Sequence, residues 1–261
     1  MSGVQTVRVG EVDLQVQTEG TALPPLVLVH GYTGSRDDFA EEIPRLAKRR
    51  RVVAYDQRGH GDSSNPGRAE AYGFESLIAD LEGIVDGLRL EEFHLLGHSM
   101  GGMVAMRYAL ANVERVRSLI LMDTSAEPVT LMPEAVRQAG VKFAHEHGLA
   151  RLADMIRAGT ERSPSAPASS TACIQRMGPE VYWGPLRRKF EQMDVVAFDV
   201  LGALLKDAES ISTRLEQLTM KTHVLVGQED AAFRDTSELL ARAIPDATLR
   251  LGRIAGAVKV R

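Results

Sequence analysis

Apolar and polar residues alternate near the start of the chain, with Val12, Leu14 and Val16 set against Asp13, Gln15 and Gln17. A period of two predicts a half-buried strand. Val7 and Val9 precede it across Gly10-Glu11, which predicts a hairpin. The pattern then changes to continuous apolar runs: Leu26-Val27-Leu28-Val29, Val52-Val53-Ala54-Tyr55, Phe93-His94-Leu95-Leu96, Leu119-Ile120-Leu121-Met122 and Val224-Leu225-Val226. Such runs predict strands covered on both faces. Between them, Phe74, Leu77, Ile78, Leu81, Ile84, Val85 and Leu88 recur at the three-and-four spacing of one helix face. Asp235-Thr236-Ser237-Glu238 carries a capping-box pattern ahead of Leu239, Leu240, Ala243 and Ile244, and predicts a second helix. A last strand is expected over 248–254. Buried strands alternating with helices predict an α/β fold, with a mostly parallel sheet and helices on both faces.

The alternation stops between about 126 and 210. Helical pieces are expected at 149–156 and 198–205, with a loop over the Pro/Ser/Ala-rich stretch 163–170. The organisation expected is a core of residues 1–125 and 211–261, with a helical cap at 126–210 inserted over its cleft.

With 261 residues the chain is long enough for one large α/β domain carrying such a lobe. Its net charge of -4 argues against nucleic acid and anionic membrane as partners. The basic knot Lys48-Arg49-Arg50-Arg51 reads as solvated surface. Cys173 is the only cysteine, which rules out an internal disulfide and a multi-cysteine zinc site. That count and the lack of an apolar leader fit a cytoplasmic protein. No apolar run reaches membrane-spanning length. Composition leaves the oligomeric state open.

The candidate chemistry lies in Gly97-His98-Ser99-Met100-Gly101. An apolar strand precedes it, and Met103, Val104, Met106, Ala109 and Leu110 supply a helix after it. A serine on such a strand–turn–helix projects its hydroxyl into the cleft, and the crowded turn requires glycines two residues to either side. The N–H of Met100, at the helix start, can face a developing oxyanion. A chance G-x-S-x-G is the alternative, and the strand-to-helix setting argues against it.

Three further segments complete a resemblance to the α/β-hydrolase superfamily, of the serine esterase or lipase kind with a helical cap. His30-Gly31-Tyr32 follows a strand and resembles the HG-x turn. Asp56-Gln57-Arg58-Gly59-His60-Gly61-Asp62-Ser63 resembles the D-x-R-G-x-G-x-S loop. Val226-Gly227-Gln228-Glu229-Asp230 resembles the turn that bears the triad acid. The resemblance implies that the Tyr32 N–H is the second oxyanion donor. It also implies that Asp230 orients a histidine, with Asp123 in reserve. It calls for neither cofactor nor metal.

A serine hydroxyl needs a base, and the order Ser…Asp…His puts the histidine after Asp230. No histidine follows it. The tail Ala255-Gly256-Ala257-Val258-Lys259-Val260-Arg261 matches the family pattern to about Ala257 and then departs, as a truncation or frameshift before the triad histidine would. Lys259 falls near the expected position but would need burial to become a base. Of the seven histidines, His30 and His60 are expected to shape loops. His98 and His94 belong to the strand before Ser99, His145 and His147 to the cap surface, and His223 to the wrong end of its strand.

The function expected is hydrolysis of a small-molecule carboxylic ester or related acyl compound through an acyl-enzyme, impaired in this chain. Enol-lactone hydrolases, carbon–carbon bond hydrolases, haloperoxidase-like enzymes and menaquinone-pathway lyases keep the same serine. Haloalkane dehalogenases and epoxide hydrolases use aspartate there, and dienelactone hydrolases use cysteine. A ligand-binding protein without turnover is the rival from another class.

Overall fold

The computed structural model describes residues 3–163 and 168–252. Strands β1 (Gly3–Val9) and β2 (Val12–Glu19) form the hairpin, with Val9 opposite Val12 and Gly10 at φ +57° in the turn. Then follow β3 (Leu26–Val29), the one-turn α1 (Ile43–Leu46), β4 (Val52–Tyr55), α2 (Phe74–Gly87), β5 (Phe93–His98), α3 (Met100–Ala111) and β6 (Val116–Met122). Five helices come next: α4 (Glu134–His147), α5 (Leu149–Arg162), α6 (Ala168–Met177), α7 (Pro179–Glu191) and α8 (Val195–Asp207). The chain returns to the sheet with β7 (Lys221–Gly227), α9 (Arg234–Ala243) and β8 (Ala247–Gly252). The described strands form one eight-stranded sheet of order β1-β2-β4-β3-β5-β6-β7-β8. From β4 to β8 every pairing is parallel.

Period-two alternation splits the strands between two apolar layers. Val27, Val29, Val53, Leu95, Leu119, Leu121 and Val224 pack with α2, α3 and α9. Ala197, Leu201 and Leu205 of α8 join the same core, which ties the helical segment to the sheet domain. Leu26, Leu28, Val52, Ala54, Leu96 and Met122 face the opposite way, onto Phe39 and Ile43.

The helical segment is also pinned by polar contacts. Lys189 of α7 donates to Asp38 at 2.6 Å. Asp194 caps α8 through Val196 N–H, receives the Tyr72 hydroxyl at 2.5 Å, and donates its own N–H to Gly59 O. Among the described residues no helix is long and apolar enough to cross a membrane.

Two local expectations need correction. Helix α9 begins at Arg234 after Phe233, with no side-chain cap, so Asp235-Thr236-Ser237-Glu238 lies within its first turns. Asp235, the expected cap acceptor, is the second residue of the helix, and the Thr236 hydroxyl beside it donates to Thr124 O and Phe233 O. The stretch expected as a loop is already helical from Ala168, while 164–167 lie outside the described residues. The tail, with Lys259 and the end of the strand expected at 248–254, also lies outside them.

Candidate active site

Ser99 stands between β5 and α3 at φ 51°, ψ -120°, a backbone conformation costly for any residue with a Cβ. The surroundings impose it. Its N–H donates to Met122 O at 2.9 Å. Its carbonyl accepts from Gly102 N–H at 2.9 Å and from the Thr124 hydroxyl at 2.6 Å. A Cβ at Gly97 would fall against the Gly101 carbonyl, and one at Gly101 against the Val29 carbonyl. Met100 opens α3, where the first N–H groups have no partner in the helical ladder.

The loop after β3 closes directly on this turn. A Cβ at Gly31 would lie 3.0 Å from Ser99 Cβ and 2.9 Å from His98 Nδ1, so only glycine allows the approach. Tyr32 follows at once, which puts its backbone beside the serine.

The Asp56–Ser63 loop is a brace. Arg58 grips Asp80 of α2 with two bonds, at 2.7 and 2.6 Å, and donates to Ala71 O at 2.9 Å. Asp56 accepts from the N–H groups of Arg36 and Asp62 and pairs with the Arg36 guanidinium. The Ser63 hydroxyl donates to Asp56 O at 2.7 Å.

Two carboxylates lie at the C-terminal ends of the strands beyond β5. Asp123 directly follows β6, at φ 44°, and accepts the Gly227 N–H at 2.9 Å. Burial, reinforced by nearby Asp230, pushes Asp123 up to about 6. Asp230 follows β7 in a turn whose N–H bonds to Gly227 O. Burial raises its carboxyl too, opposed by the N–H groups of Phe233 and Ala232. Neither acid has a Lys or Arg partner among the described residues.

All seven histidines lie within the described residues, and none bonds to Ser99 or Asp230. His30 accepts the Gln57 N–H at 3.0 Å, and His60 bonds to Arg58 O. His94 meets Ser118, and His223 meets Thr248. His145 and His147 are exposed on α4. Burial drives His30 and His98 down to about 4 and His60 to about 3. Imidazoles held so far below neutrality are weak bases.

Thr124, which ties the Ser99 carbonyl to the β6 end, is a site residue that the sequence pattern does not mark. A threonine after a strand carries no signal of that contact. No group of three His, Cys, Asp or Glu is arranged to hold a metal among the described residues.

A family model for the alpha/beta hydrolase fold matches residues 24–252. A proline iminopeptidase of Lactobacillus helveticus (strain DPC 4571) is 40% identical over 118 residues, 44% of this chain and 40% of its own length. The chain thus spans well under two thirds of the length of such curated relatives. Among solved structures, a thermophilic esterase from Thermogutta terrifontis superimposes with a TM-score of 0.75 at 28% identity, over 97% of this chain and 89% of its own. The enol-lactonase from Burkholderia xenovorans LB400 gives 0.80 at 24% identity, over 96% and 92%. The latter likeness is one of fold.

Proposed function

The chain belongs to the α/β-hydrolase fold family, and on that premise we propose that it is built to hydrolyse small carboxylic esters or related acyl compounds through an acyl-enzyme on Ser99. The observation that carries this is the strained Ser99 backbone, held between β5 and α3 with a glycine two residues to either side. Strain of this kind persists only where the surroundings over-determine it, and it presents the hydroxyl at the mouth of the cleft.

In the proposed reaction Ser99 Oγ attacks the acyl carbon. Its proton passes to a base and on to the departing alcohol or amine as the acyl–leaving-group bond breaks. Water then cleaves the serine ester and releases the acid. The N–H groups of Met100 and Tyr32 receive the oxyanion. Asp230 orients the base, its carboxylate held by two backbone N–H groups. Asp123 stands beside it as the reserve acid. Residues 126–210 act as the cap that shapes access. An esterase, a lactonase and an iminopeptidase among its relatives fit acyl chemistry of this breadth.

No histidine follows Asp230 in these 261 residues. Loss of the histidine from a serine triad costs on the order of a million-fold in turnover, leaving roughly a thousand-fold over water. The test compares this chain with a version whose tail after Ala257 supplies a Gly-His segment and a closing helix, on a panel of p-nitrophenyl esters. The extended version should be faster by several orders of magnitude, through Ser99. Equal rates within about tenfold would mean that another base serves Ser99. That none of the seven histidines bonds to Ser99 or Asp230 favours a second reading, a ligand-binding protein on the same scaffold. Tight binding with no acyl-enzyme in either version would support it.

A further inference from the structure

The side chain of Tyr32 crosses from the loop beside Ser99 into α8. Its hydroxyl donates to the carbonyl of Phe198 at 2.5 Å. Its ring stacks on Phe198, with centroids 5.7 Å apart and planes 21° from parallel. Phe198 meets Phe190 of α7 in turn, at 5.9 Å between centroids. Burial raises the Tyr32 phenol, so it stays protonated and remains a donor.

Gly202 completes the socket. It lies one helical turn beyond Phe198, and a Cβ there would stand 2.7 Å from the Tyr32 hydroxyl oxygen and 3.2 Å from Cζ. Glycine within a helix is unfavourable relative to alanine, and Gly202 has no positive φ to require it. Room for the phenol is the physical reason for it. At the other end, Gly31 fixes the same loop against Ser99 Cβ. The path from α8 to the serine is therefore two residues long.

We infer that Tyr32 is a positioning residue that seats α8 on the nucleophile loop, and that the seat of α8 limits the acyl group accepted at Ser99 to short chains. The inference rests on the reading of Ser99 as nucleophile. Its two halves are a mechanical link, measurable without turnover, and a length limit, measurable through it.

The test uses Tyr32→Phe, Gly202→Ala and the double variant. Amide hydrogen exchange is followed across α8 and residues 31–35 in this chain, and Ser99-dependent hydrolysis of p-nitrophenyl acetate is compared with that of the octanoate in the version with a histidine-bearing tail. Loss of the hydroxyl bond should speed exchange in both segments together by about five-fold. The octanoate-to-acetate ratio should rise about ten-fold, a change that mere destabilisation would not produce. In the double variant the added methyl group occupies the space the hydroxyl leaves. It should therefore perturb less than the sum of the single changes.

Unchanged exchange in both segments for Tyr32→Phe would overturn the link. An unchanged ratio, with hydrolysis still abolished by Ser99→Ala, would overturn the length limit. Hydrolysis that survives Ser99→Ala would instead overturn the reading of Ser99, while the exchange data still judge the link. Tyr32→Phe removes a single oxygen atom, so it keeps the test open if Gly202→Ala fails to fold.

Discussion

Gly101 and Gly159 make opposite demands on the same substitution. A methyl group at Gly101 meets the Val29 and His30 carbonyls, both backbone, whereas nothing lies within 4 Å of one at Gly159 in α5. Gly101→Ala should therefore cost about 2 kcal/mol by overpacking, and Gly159→Ala should stabilise by up to about 1 kcal/mol, both read from urea unfolding. Asp123 offers a pH signature. Its folded value of about 6 lies above the ordinary 3.8, so the folded chain holds a proton that the unfolded chain has already lost. Stability should fall as pH rises from about 4 to 6. Asp123→Asn removes that penalty. It should stabilise by about 1 kcal/mol at pH 7, after allowance for partial exposure, and by little at pH 4. A melting-temperature gain equal at both pH values would contradict the assignment. At this scale the sequence exposed Ser99 and its flanking glycines, because they form a spaced pattern. Thr124 and Gly202 were illegible, because each answers to a contact far away in the chain.

Elements divide by how much apolar surface they bury. Helix α2 buries Phe74, Leu77, Leu81, Ile84 and Val85, and its stripe could be read directly. Helix α4 buries only Ala144, and α7 only Trp183 and Phe190, too few to mark a period. Those helices were therefore hidden inside a region recognisable only as a break in alternation. The misread start of α9 has the same root. Asp235 has the chemistry of a capping residue and Glu238 the spacing of its partner, but the helix already starts at Arg234, so both lie inside it. The brace between α2 and the Asp56–Ser63 loop shows the value of pairing. Arg58→Ala leaves Asp80 buried, with no exposed side-chain surface and no counter-charge. It should cost about 3–5 kcal/mol, whereas replacing both partners by apolar residues of similar size should cost far less. Chemical denaturation of the single and double variants checks this, and equal losses would show that the charge pair is not the source.

The whole molecule is asymmetric about its sheet. On the face toward α2, α3 and α9, Leu119, Leu121 and Val224 are fully buried. On the other face Ile120 and Leu225 are only partly buried, although they sit on interior strands of a parallel sheet. Parallel strands are ordinarily covered on both sides. The 261-residue polypeptide should therefore bind a hydrophobic dye and self-associate, and Ile120→Thr with Leu225→Thr should reduce both. Unchanged dye fluorescence in that variant would move the sticky surface elsewhere. The overall architecture was legible because strand runs, helix stripes and motif turns occur in one order along the chain. The base was not, since no histidine stands where that order asks for one. The proposed chemistry turns on Ser99 as the nucleophile. The most direct measurement is labelling by a serine-directed fluorophosphonate, on the version with a histidine-bearing tail, read by mass spectrometry of the modified peptide. A single adduct on Ser99 that disappears in Ser99→Ala is expected; an adduct that persists in that variant, or maps to another residue, would rule Ser99 out as the nucleophile.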